Sequence, residues 1–206
     1  MKTVPSNIYL VRLACKFSIS VFPDYIIHLG LDTQEYMNIE HQYAPNGIQS
    51  IMFMAMVQWK KNMEVKLIRP SLQHIADALD AVKMNKHFLC QQNIERFGTQ
   101  ESESKISESR LQSPVEDEVL RDLPKHIGNC VIHLGIELGL TVEDIEAAMY
   151  NYPKDMYSQI DYILHKWKTT SRAPMVFTLM KALQHVKSGG MSYLCEKYNV
   201  CAQDKV

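Results

Sequence analysis

The chain has 206 residues, of which 46% are hydrophobic and 22% charged, enough apolar content for one or two soluble domains of about 100 residues each. Its formal net charge is −1 and its pI about 6.7, which gives no reason to expect nucleic acid or an anionic membrane as partner. The longest unbroken apolar run, IMFMAMV at 51–57, is far short of the roughly 20 residues that span a bilayer.

Five cysteines (Cys15, Cys90, Cys130, Cys195, Cys201) form no tight pairing pattern, so reduced thiols in a cytoplasmic protein are expected. Arg12 and Lys16 interrupt the first apolar run, and no secretion signal is expected. Charge is unevenly spread. Residues 93–120 hold three basic and seven acidic side chains, a net of −4, whereas the flanking stretches are slightly basic.

In chain order, residues 7–22 read as a helix that Phe22 and Pro23 bend or restart, and DYIIHLGL continues helical to Gly30, a plausible stop. Asp32 and Glu35 have the spacing of a capping box, which satisfies the free amides of a helix's first turn. Pro45, Asn46 and Gly47 break the chain. A helix over 48–59 follows, with Ile48, Met52, Ala55, Met56 and Trp59 at offsets 0, 4, 7, 8 and 11, one stripe of a 3.6-residue helix. The stretch KKNMEVKLIR reads as a basic loop leading to Pro70 in the first turn of another helix, whose stripe is Leu72, Ile75, Leu79 and Val82. A short helix carries HFLCQQ. Residues 93–119, rich in Ser, Glu and Gln, read as a solvated linker, with a polar surface helix as the alternative.

Residues 120–206 repeat the plan. LPKHIGNCVIHLGIELGL is expected to be helical to Gly139, Thr141 and Asp144 repeat the cap, and Pro153 breaks the helix. Met156, Ile160, Ile163, Leu164 and Trp167 then reproduce the five offsets that end at Trp59. After Pro174, Val176, Leu179, Leu183 and Val186 match the next stripe, and Gly189-Gly190 precede a final helix, MSYLCEKY. Stripes, caps and breaks recurring in one order indicate an internal duplication: a domain over 1–92, a linker over 93–119 and a second domain over 120–206.

Each repeat thus holds about six short helices. The Leu-Gly-Leu ends at Leu29-Gly30-Leu31 and Leu138-Gly139-Leu140, the tryptophans Trp59 and Trp167, and the pairs Ala78-Leu79 and Ala182-Leu183 stand in the order of a known family. The chain resembles the death domain, a six-helix Greek-key bundle. The resemblance implies an all-α fold of two death-fold bundles in tandem. It also implies a non-enzymatic cytoplasmic adaptor in apoptotic or innate-immune signalling, with other death-fold proteins and self-association as the expected partners. A decoy of such assemblies and a structural helical scaffold are the alternatives, with a thiol enzyme as a third class.

Charges suggest where partners would bind. Asp32, Glu35 and Glu40 oppose Lys60, Lys61, Lys66 and Arg69 in the first repeat; Glu143, Asp144 and Glu146 oppose Lys166, Lys168 and Arg172 in the second. An acidic and a basic corner on one module favour head-to-tail contact, although acids at helix starts and bases at helix ends also suit the helix dipole. Phe53, Met54 and Val57 lie behind the stripe of the Trp59 helix, where the second repeat has Asp161, Tyr162 and His165. A helix apolar on two sides must be covered. A partner or the other repeat is one candidate, and the first helix or the N-terminal residues are another. Without Cys-x-x-Cys, a second histidine pair beside His126 and His133, or a Gly-rich phosphate loop, no metal, cofactor, small-molecule substrate or catalytic residue is expected.

Overall fold

The computed structural model describes residues 3–84, 108–187 and 189–199. Their regular structure is helical apart from two isolated bridges. The chain divides into two compact units, 1–97 and 98–206. The expected HFLCQQ helix and the expected linker from 93 to 107 lie outside the described residues.

The first unit holds α1 (Asn7–Ala14), α2 (Phe22–Leu29), α3 (Thr33–Tyr43), α4 (Ile48–Val65) and α5 (Leu72–Ala81). The 7–22 stretch is two helices. α1 ends at Ala14, and α2 starts with Pro23 in its first turn, where a missing N–H costs nothing. Gly30 closes α2 with φ 104°, and the Leu31 N–H reaches back to the Ile26 carbonyl at 3.1 Å. Asp32 immediately caps α3 through the expected box with Glu35. α4 runs six residues past Trp59, so the first part of the expected basic loop is helical. Ser71, one residue after Pro70, caps α5.

α4 is the centre of this unit. Every residue from Ser50 to Val57 is buried, as is Trp59, which is what a helix apolar on all sides requires. α1, α2 and α3 pack on it, and α5 packs on α2.

The second unit holds α6 (Glu108–Leu111), α7 (Asp117–Asp122) with a 3-10 turn over Leu123–His126, α8 (Val131–Glu137), α9 (Val142–Asn151), α10 (Met156–Thr170), α11 (Val176–Val186) and α12 (Met191–Tyr198). The stretch expected to be helical from Leu123 to Gly139 is a 3-10 turn and a separate α-helix, because Ile127 is extended and only Val131 resumes the helix. Gly139 has φ 82°, and the Leu140 N–H reaches the Gly135 carbonyl at 2.9 Å, repeating the closure at Gly30. Thr141 and Asp144 repeat the cap. α7 with its 3-10 turn, α8 and α9 pack on α10, and α11 packs on α8. Each packed helix pair described for the first unit therefore has a counterpart here.

The expected linker ends too late. Val115, Val119 and Leu120 are buried at 1%, 3% and 0% exposure, and α7 begins at Asp117. Residues 113–119 are the counterpart of residues 3–9. Their charged side chains face water, while the few apolar ones enter the core.

The cysteines also depart from expectation. Cys15 and Cys130 are thiols, but Cys195, half-buried on α12, is disulfide-bonded.

Candidate protein-interaction surfaces

The tryptophan helices carry the shared construction. Trp59 and Trp167 are both 1% exposed, and each is followed by a lysine that leaves the core for a distant backbone carbonyl. Lys60 Nζ donates to the Pro5 carbonyl at 3.2 Å, and Lys168 Nζ donates to the Val115 carbonyl at 2.8 Å. Pro5 and Val115 are themselves buried, so each carbonyl would otherwise be short of a partner. Two residues before each carbonyl, the same strand-like segment bonds to the next helix. The Leu72 N–H donates to the Thr3 carbonyl at 3.0 Å, and the Val176 N–H donates to the Ser113 carbonyl at 3.0 Å. In both units the segment entering the first helix is thus pinned twice, against α4 and α5 or against α10 and α11.

These pins consume several of the expected binding residues. Lys60 is half-buried on Pro5. Lys168 also meets Asp117 at 2.8 Å. Asp144 and Lys166, assigned by sequence to opposite corners, pair with each other at 3.1 Å, because the first turn of α9 packs against the end of α10. Burial alone would raise the Asp144 pKa; the Lys166 ammonium and the Thr141 hydroxyl and N–H outweigh it and hold the carboxyl below the usual range. Glu35 accepts both a bond from the Asp32 N–H and bonds from Asn62 Nδ2 at 2.9 and 3.0 Å. Asp32 caps α3. Glu146 is half-buried on α9.

Phe53, Met54 and Val57 are not a surface. They are 0%, 6% and 4% exposed, and α1 lies along α4 to bury Tyr9, Leu10, Val11, Leu13 and Ala14. The helical spacing rightly shows a second apolar face; the element covering it is α1, within the same unit. In the second unit the face corresponding to Phe53 carries Asp161, Tyr162 and His165, none of them fully buried.

What remains on the outside is a shorter set. Glu40, Lys61, Arg69, Glu143 and Arg172 are exposed and make no ion pair among the described residues. Large apolar side chains are exposed on the same units. Tyr150, at the end of the helix that Glu143 begins, is 86% exposed, and Phe177, five residues after Arg172, is 53% exposed. In the first unit Val65, Leu67 and Ile68 are 82%, 95% and 46% exposed. Hydrophobic periodicity does not find these residues, because they lie outside the stripes or beyond the helix end. The signal available was a helix-breaking stretch that nonetheless carries large aliphatic side chains.

A buried polar pair is the other feature sequence reasoning missed. His185 Nδ1 of α11 lies 2.9 Å from Glu137 Oε2 of α8, with side chains only 7% and 5% exposed. It ties α8 to α11 and faces inward.

Among the described residues no group of three His, Cys, Asp or Glu side chains is placed to hold a metal ion, and no helix is long and apolar enough to cross a membrane. No family model, no curated protein and no solved structure matches the chain.

Proposed function

We propose that the chain is a non-enzymatic adaptor of two death-fold modules, the second of which docks other death-fold modules through its unspent charges. The reading rests on the resemblance in residue order. One observation carries its placement on the surface: in the second unit Asp144, Lys166 and Lys168 are committed to internal bonds, while Glu143, Arg172, Tyr150 and Phe177 all stay exposed. Tyrosine and arginine are among the residue types enriched at interface hot spots. Exposed ion pairs contribute only about 0–1 kcal/mol each, so the charges choose and steer partners while the rings supply burial.

The test is retention of the purified chain on a panel of immobilised, purified death domains. Wild type is expected to be retained by at least one member, and an E143K/R172E variant is expected to lose that retention with its melting temperature unchanged. Failure of every panel member to retain wild type removes the reading. Reversing Lys166 or Lys168 would be uninformative, since both hold the module together.

A further inference from the structure

The two units turn the same corner differently. From the buried tryptophan to the first residue of the following helix there are nine steps in the second unit, Trp167 to Val176, and 13 in the first, Trp59 to Leu72. The second unit makes the turn with Ser171, Arg172, Ala173, Pro174 and Met175, of which only Met175 is a large apolar residue, and it is half-buried. The four extra residues of the first unit lengthen α4 past its tryptophan and end it in a tip built from Val65, Lys66, Leu67, Ile68 and Arg69.

That tip is unfavourable to the fold. Leu67 is 95% exposed and sits at φ 57°, the left-handed region that favours glycine at a helix end. Val65 is 82% exposed and Ile68 46%. The tip is nonetheless held in shape, for the Lys66 N–H bonds to the Asn62 carbonyl, the Leu67 N–H to Glu64 and the Ile68 N–H to Met63, at 3.1, 3.0 and 2.9 Å. Exposed bases surround the aliphatic residues: Lys61 one turn before Val65, then Lys66 and Arg69. Glu64 is the one acid between residues 60 and 70. The shared module plan does not require these residues, since the second unit closes its corner without them.

We propose that this α4–α5 tip docks the protein on anionic lipid bilayers, Leu67, Val65 and Ile68 entering the acyl boundary while Lys61, Lys66 and Arg69 lie among the headgroup phosphates. The chemistry favours a bilayer over a protein groove. A stable protein contact takes about 800 Å² from each partner and is anchored by aromatic residues or arginine in well-packed pockets, whereas here aliphatic side chains stand out from a short convex turn with no aromatic among residues 60–70. A deformable apolar phase behind a layer of negative charge fits such a tip. Apolar burial and electrostatic attraction reinforce each other there. The chain's net charge of −1 does not oppose this, because only charges within about a Debye length of the surface, roughly 8–10 Å, act on it.

The experiment is co-sedimentation of the full chain with phosphatidylcholine vesicles, with and without phosphatidylserine, together with melting curves. Wild type is expected to sediment with the phosphatidylserine vesicles only, and less so as salt rises. L67G is expected to melt higher than wild type, because glycine relaxes the left-handed backbone, and yet to bind those vesicles about tenfold more weakly. K61E/K66E is expected to lose binding as well. The proposal is overturned if wild type ignores anionic vesicles, or if L67G binds them as wild type does. It is equally overturned if ultracentrifugation without vesicles shows wild type self-associating and L67G monomeric, which would make the tip a protein contact.

Discussion

At the scale of single residues, the structure separates side chains that look alike in sequence. Phe53 and Phe177 are both large aromatics on helices, but one is 0% exposed and the other 53%. Truncating Phe53 removes core volume between α1 and α4, so F53A is expected to destabilise the first unit by about 3–5 kcal/mol in urea unfolding; a loss under 1 kcal/mol would mean that α1 does not cover that face. Asp144 is the second case. Its depressed pKa makes its contribution fully present above the ordinary aspartate value of about 3.9 and lost as pH falls through the lower folded value. Melting temperatures of wild type are expected to drop more steeply below about pH 4 than those of D144N, which starts lower at neutral pH because the Lys166 partner is gone. Parallel curves would show that Asp144 and Lys166 do not meet in solution. The effect is moderate, since the two side chains keep 24% and 35% exposure and water screens them.

At the scale of elements, the local signals were legible and the distant ones were not. Stripes, the glycine stops at Gly30 and Gly139, and the caps at Asp32 and Thr141 depend on residues within one or two turns, and each was readable from spacing. Which helix covers the second face of α4 is decided by α1, some forty residues away in sequence, and no periodicity records it. The lysine pins reach 55 and 53 residues back to backbone carbonyls, so the sequence shows only the lysine. Residues 113–119 were misread because their composition is that of a linker, while the fold uses just Val115, Val119 and their backbone. The charged corners were misread for a related reason: Asp144 and Lys166 lie on different helices that pack together, so separation along the chain became contact. The pins give a test at this scale. With Trp59 replaced by Phe, Trp167 fluorescence reports the second unit alone. In that background K168M is expected to lower unfolding stability by about 1–3 kcal/mol, the cost of leaving the buried Val115 carbonyl unpaired, and D117N, on the exposed side of the same lysine, is expected to change little. Equal effects of the two substitutions would place the pin on the carboxylate rather than on the backbone.

At the scale of the whole molecule, one helical plan appears twice and is dressed differently each time. The buried tryptophan, the following lysine, the pinned entry segment and the capped third helix recur, and they account for the matching helix contacts within each unit. The outer surfaces do not recur. The first unit lengthens one helix into an aliphatic and basic tip, whereas the second keeps that corner short and leaves Glu143, Tyr150, Arg172 and Phe177 exposed. Two modules in one chain with different surfaces suit an adaptor that joins two kinds of target, because the second contact, once the first is made, occurs at a raised local concentration. The central claim is that Glu143 and Arg172 meet complementary charges on a death-fold partner, and a charge-swap titration tests it most directly. Binding lost in E143K/R172E should return, within about tenfold of wild type or roughly 1.4 kcal/mol, against a partner whose facing charges are reversed in turn. Recovery is the predicted result; a partner that binds wild type and the reversal equally, or a swap that restores nothing, would contradict it.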